Sequence, residues 1–279
     1  MNGIVWIASY PKSGNTWMRI FLENLLRKQN SPVDINRLSI RNFSDRMLWD
    51  PILGWETSEF KEEAIACTRL AVQETIASRE KAMFKTHEAF CDMESGAPLF
   101  SAKASRCAVY IIRNPLDVVQ SFANHMSRPF GAAIRKMNDK NAVMADNSKG
   151  PRPQLTQFMG DWSWHVNSWV SAKDVKVQVF RYEDLLEDPY TNFTQVCRFI
   201  GLDESETNIR NAVECSKFEV LKEQEEKNGF RERTKDCPRF FNKGQSGRWR
   251  ETLTQEQVGA IIRVHGETMK RFGYFPGSD

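Results

Sequence analysis

The sequence predicts an α/β fold, a single domain with a central parallel β-sheet flanked by helices. Three observations carry that expectation. Residues 4–8 and 107–112 are short, continuous apolar runs, as buried parallel strands are, and residues 175–180 read as a further strand. Stretches with helical spacing of apolar residues lie between them. Residues 9–16 form a polar, glycine-bearing turn joining the first strand to the first helix, and strands alternating with helices build a parallel sheet covered on both sides.

Taken in order, the first helix follows from apolar residues at 18, 21, 22, 25 and 26. Residues 30–60 are irregular, with Pro32, Pro51 and Gly54 as breakers. A helix is expected over 60–78 and a short strand end over 82–86. The strand at 107–112 closes on Arg113-Asn114-Pro115, and a helix starts at that proline, running to about 126. Residues 127–158 are rich in Lys, Asn, Gly, Pro and Ser, and are expected to form a lid. Helices follow over 159–171, which carries Trp162, Trp164 and Trp169, and then over 189–200 and 205–215. Residues 222–248 are polar and basic, with Gly229, Pro238, Gly244 and Gly247, and read as a loop. The last helix, 255–272, gathers Val258, Ile261, Ile262, His265, Met269 and Phe272 near one face. No internal repeat appears.

Charge and composition exclude several classes. The 39 Lys and Arg against 36 Asp and Glu leave +3, too small an excess for a nonspecific nucleic-acid binder. No apolar run approaches the roughly 18 residues of a spanning helix, and a strand starting at position 3 leaves no room for a signal peptide. A cytoplasmic protein without a membrane partner is expected. Six scattered cysteines with no CxxC pair read as reduced side chains in the interior or half-buried.

The turn at 9–16 carries chemistry. Backbone N–H groups at a helix N-terminus, a lysine and two hydroxyls make an anion cradle. A nucleoside-triphosphatase loop would read GxxxxGK and then Ser or Thr; here Lys12 precedes Gly14 and Asn15 stands where that lysine belongs, which weighs against an ATPase. Arg113, at the C-terminal end of a strand, offers a donor fork matched to phosphate oxygens.

Tyr10-Pro11-Lys12-Ser13-Gly14-Asn15-Thr16-Trp17 closely resembles the 5′-phosphosulfate loop of the sulfotransferases that use 3′-phosphoadenylyl sulfate (PAPS). Three further segments are similar and fall in that family's order. Residues 113–121 resemble the 3′-phosphate motif through Arg113 and Ser121; residues 181–185 resemble the segment whose tyrosine, here Tyr182, approaches the adenine; residues 243–250 resemble the late glycine-rich cofactor loop. The resemblance spans residues 4 to about 255. It implies the P-loop-like sulfotransferase fold, PAPS as sulfuryl donor, 3′-phosphoadenosine 5′-phosphate (PAP) as product, no metal, and a small-molecule acceptor. The soluble small-molecule members, bacterial ones included, are the type it is most similar to.

In such enzymes the histidine of a Lys-Thr-His segment is the general base, which the resemblance carries to His87 after Lys85 and Thr86. An imidazole of ordinary pKa, near 6.5, can accept a hydroxyl proton at neutral pH. Lys12 can follow charge onto the oxygen bridging sulfur and phosphorus, and Lys85 can stabilise the sulfuryl oxygens. Lys12, Ser13, Gly14, Asn15, Thr16, Trp17, Arg113, Ser121, Tyr182, Phe241, Asn242, Lys243 and Gly244 form the expected cofactor set. Trp17 would stack on the purine, and Phe240 and Phe241 would pack or stack from the other side. His125 is an acceptor-side candidate, whereas His165 and His265 read as packing or surface residues.

The late loop departs from the family pattern. Asn242 replaces its first arginine and Arg248 its aspartate, so Arg239, Lys243 or Arg248 would have to supply the missing charge. The dimer motif of many vertebrate members is also broken, Gln255 and Gly259 standing for its valine and glutamate beside matching Arg250 and Thr254. The acceptor's identity, and O- against N-sulfation, stay open. Two other readings remain at this point: a nucleoside or small-metabolite kinase, and a non-catalytic nucleotide-binding module.

Overall fold

The computed structural model describes residues 2–79, 81–93 and 96–277. Among the described residues six strands, β1 (Gly3–Ser9), β2 (Lys81–Thr86), β3 (Ser105–Ile112), β4 (Val143–Met144), β5 (Gln157–Phe158) and β6 (Val177–Arg181), are interleaved with one short 3-10 helix at Thr57–Glu59 and with twelve α-helices. These are α1 (Asn15–Arg27), α2 (Arg46–Leu53), α3 (Glu62–Arg79), α4 (Pro115–Met126), α5 (Phe130–Met137), α6 (Trp162–Val170), α7 (Tyr182–Glu187), α8 (Pro189–Ile200), α9 (Glu206–Cys215), α10 (Phe218–Asn228), α11 (Trp249–Thr252) and α12 (Gln255–Arg271). The central parallel sheet has the order β2-β1-β3-β6 and is flanked by helices, as expected from the sequence.

The chain forms two compact units. The first comprises residues 1–10, 40–110 and 140–179; the second comprises 11–39, 111–139 and 180–279. In the first, every residue of β1 is buried. Trp6 packs edge-on to Phe43 and Phe100, and Trp49 and Trp169 are fully buried, whereas Trp55 is exposed. Parallel pairing of β1 with β2 sets Ala8 opposite Thr86, so Ser9 at the end of β1 and His87 just past β2 come side by side. In the second unit, Phe21 stacks on Phe193 at 3.9 Å, and Ile20, Val33, Ile35, Leu221, Phe230 and Phe241 share one cluster.

Three stretches differ from the sequence reading. Residues 46–53 are helical despite Pro51, because Asp45 accepts from the Met47 N–H and the buried Trp49 donates to the Phe43 carbonyl. Residues 222–228 are not loop but the end of α10, which buries Leu221 and Glu225; the loop opens only at Gly229. Residues 127–158 contain α5, with Ala133, Ile134 and Met137 buried, and the antiparallel pair β4–β5. Of the cysteines, Cys67 is exposed, contrary to the expectation that all are buried or half-buried.

Candidate functional site

The turn after β1 is built as an anion cradle within the second unit. Lys12 and Gly14 both have positive φ, 67° and 106°, turning successive N–H groups inward at the start of the thirteen-residue α1. Only glycine fits the second position: a Cβ there would stand 2.7 Å from Cδ2 of Tyr182. No side chain caps this helix, so its first N–H groups keep their donor capacity. The Ser13 hydroxyl is completely buried and has no hydrogen-bond partner among the described residues. Asn15 and Thr16 are also buried. A buried hydroxyl without a partner costs free energy, and an anion accepting from it would recover that cost.

Arg113 and Tyr182 stand beside this turn. The guanidinium lies 4.3 Å from the centre of the Tyr182 ring and donates to the Lys12 and Gln245 carbonyls, both at 3.0 Å. It thereby ties the first loop to the late one, while its buried Nε has no partner among the described residues. Trp17 meets Tyr182 edge-on at 5.9 Å. Burial raises the Tyr182 phenol above its ordinary pKa, with the Arg113 charge opposing. The Lys12 ammonium sits 3.5 Å from the centre of Phe240, whose ring also meets His125 edge-on at 6.3 Å.

The late loop is anchored by two carboxylates. Asp117 on α4 accepts from the N–H of Gly247 at 2.7 Å and of Trp249 at 3.2 Å; Glu225 accepts from the N–H of Phe240 and Phe241. Phe241 points into the apolar cluster, and Asn242 and Lys243 are exposed. Gly244, with φ 61°, lies so close to Phe218 that any Cβ would collide with it. Ser121 is half-buried on α4. Next to it, Gln120 and Asn124 line an open groove of about 520 Å³ with Arg128, Asn242 and Arg248. Both departures from the family pattern thus line one cavity.

His87 and Lys85 belong to the first unit. Lys85 is half-buried, and its backbone pairs with Arg41 and Phe43 along the edge of β2. His87 is buried; its Nδ1 lies 2.8 Å from the Ser9 carbonyl and 3.4 Å from the Ser9 hydroxyl. A carbonyl can only accept, so Nδ1 carries the proton in the neutral ring and Nε2 carries the lone pair. The next residue, Glu88, is buried against Arg69 at 2.8 Å; burial raises its pKa and the guanidinium opposes the rise. His265 is buried and bonds Asn138.

Of the expected residues, the second unit brings together Lys12, Gly14, Trp17, Arg113 and Tyr182. Sequence reasoning missed Asp117, Glu225 and the Gln245 carbonyl, which organise the late loop. It also read His165 as a packing or surface residue, although its ring is buried and donates to the His87 carbonyl.

The sulfotransferase domain family matches residues 3–273. The chain belongs to this family: it is a PAPS-dependent sulfotransferase, an enzyme and not a kinase or a bare nucleotide-binding module. Among curated relatives it is 25% identical to rat sulfotransferase 2A6, over 97% of this chain and 86% of that protein. It is 27% identical to zebrafish cytosolic sulfotransferase 1, over 95% and 82%. Mouse sulfotransferase SULT7A1 complexed with PAP shares the fold at a TM-score of 0.60 and 19% identity, over 96% of this chain and 85% of that one. Retinol dehydratase in complex with androsterone and PAP does so at 0.62 and 19%, over 96% and 80%. Among the described residues no helix is long and apolar enough to cross a membrane.

Proposed function

We propose that this enzyme moves the sulfuryl group of PAPS to a hydroxyl, or an amine, of a small-molecule acceptor, with His87 as general base. The observation that carries the base assignment is the bond from His87 Nδ1 to the Ser9 carbonyl, which leaves the basic lone pair on Nε2. Nε2 takes the acceptor's proton as its oxygen or nitrogen becomes nucleophilic.

The donor set suits a nucleotide phosphorylated at two places. Ser13, Thr16 and the N–H groups that open α1 hold the 5′ side; Arg113, Ser121, Lys243 and Arg248 hold the 3′-phosphate; Trp17 and Tyr182 flank the adenine. PAPS supplies a sulfuryl group already activated on a phosphate. Lys12 neutralises charge gathering on the departing phosphate, and Lys85 does so at the sulfuryl oxygens. In Arg248 the groove regains the charge that Asn242 lacks. Residues 127–158 are the acceptor-side lid. Relatives named as cytosolic enzymes support a cytoplasmic setting, and the androsterone held by retinol dehydratase supports a hydroxylated apolar acceptor.

The test is His87→Ala. PAP binding by calorimetry is expected to stay within about twofold while transfer falls at least about 100-fold, the span of a lost general base. Unchanged transfer would remove His87 from the mechanism.

A further inference from the structure

A chain of hydrogen bonds holds the backbone of His87, and all of it lies in the first unit. His87 Nδ1 donates to the Ser9 carbonyl at 2.8 Å. The His87 carbonyl accepts from His165 Nε2 at 3.1 Å, and His165 Nδ1 stands 2.8 Å from the Tyr110 hydroxyl.

Each direction in the chain is forced. The His87 carbonyl can only accept, so His165 must carry its proton on Nε2 and present the Nδ1 lone pair. That lone pair faces the Tyr110 hydroxyl, which therefore turns its own proton to His165. Complete burial keeps His165 neutral, its pKa pushed down to about 3, so one tautomer persists across the working pH range. Tyr10 meets the His165 ring edge-on at 5.4 Å, which fixes its plane. Trp169 secures the next carbonyl, donating from its indole to Glu88 at 2.9 Å.

We propose that His165 and Tyr110 are positioning residues that fix the backbone of His87 and thereby its tautomer, coupling the base to the end of β1 from which the phosphate loop departs. The proposal rests on His87 being the base, but its first readout does not. In ¹⁵N-labelled wild type, His87 is expected to show separate protonated Nδ1 and unprotonated Nε2 resonances. His165→Phe removes the donor to the carbonyl and is expected to collapse them into an exchange-averaged pair. His165→Gln, whose amide N–H replaces Nε2–H, is expected to restore them. PAP affinity stays within about twofold in both, while kcat for transfer to 4-nitrophenol falls on the order of 10- to 100-fold in the Phe variant, the scale of a misplaced reacting group.

An unchanged His87 signature in His165→Phe, or an equal loss in the Gln variant, would overturn the proposal. Where the Phe variant does not fold, Tyr110→Phe carries the test: it is expected to broaden the His165 and His87 signals, and sharp wild-type signals would overturn the proposal. Retained turnover in His87→Ala removes the base assignment alone, because the tautomer readout is independent of it.

Discussion

Acidification from about pH 7 to pH 5 is expected to weaken the fold through His165. The ring is fully buried and titrates near 3 in the native protein, against 6.5 for an unhindered histidine. Between those values the unfolded chain binds a proton that the native state refuses. Stability therefore rises with pH across that window, is fully present above 6.5, and is lost progressively as pH falls toward 3. Each pH unit below 6.5 costs about 1.4 kcal/mol, so reaching pH 5 costs about 2 kcal/mol. Glu88 acts with the opposite sign, since burial raises its pKa above the ordinary 4.5. Comparing wild type with His165→Gln at each pH cancels Glu88, which both proteins retain. Urea unfolding followed by circular dichroism and tryptophan fluorescence supplies the two free energies where the transitions coincide. The wild-type advantage over the Gln variant is expected to shrink by about 2 kcal/mol between the two pH values. A gap that stays constant, or widens in acid, would refute a neutral, buried His165.

Two further outcomes follow from the residues proposed to bind the nucleotide. Gly14→Ala forces a side chain to φ 106° and against Tyr182, and is expected to cost about 1–3 kcal/mol, read as a fall of roughly 3–10 °C in Tm together with weaker PAP binding. A wild-type melting point would show that the turn relaxes without penalty. Arg248→Ala is expected to weaken PAP binding about tenfold while leaving AMP unchanged, as loss of a charge-assisted contact to the 3′-phosphate alone. Equal weakening of both nucleotides in calorimetry would place Arg248 elsewhere.

The elements that the sequence reveals are those whose determinants are local. α4 begins where expected because Pro115 occupies its first turn and Asn114 caps the Leu116 N–H. α12 begins at a reciprocal pair, Thr254 with Gln257. The glycine-bearing turn between β1 and α1 is equally legible, since lysine, glycine and hydroxyls follow one another directly. α2 was hidden by Pro51, whose breaking tendency is outweighed by the Asp45 cap and the burial of Trp49. Asp117 lies inside a recognisable segment, yet its partners Gly247 and Trp249 come about 130 residues later, and no local pattern announces such a pairing. His165 escapes for a related reason. A histidine among tryptophans reads as packing, and its bond to the His87 carbonyl depends on where α6 lies against the end of β2.

The most direct measurement is transfer itself. The purified chain, given PAPS labelled in sulfur and a panel of hydroxyl- and amine-bearing metabolites, is expected to yield a sulfated product and PAP in equal amounts, with the product identified by mass spectrometry. PAPS left unconsumed by every acceptor, or transfer of the γ-phosphate when ATP is offered instead, would contradict the account.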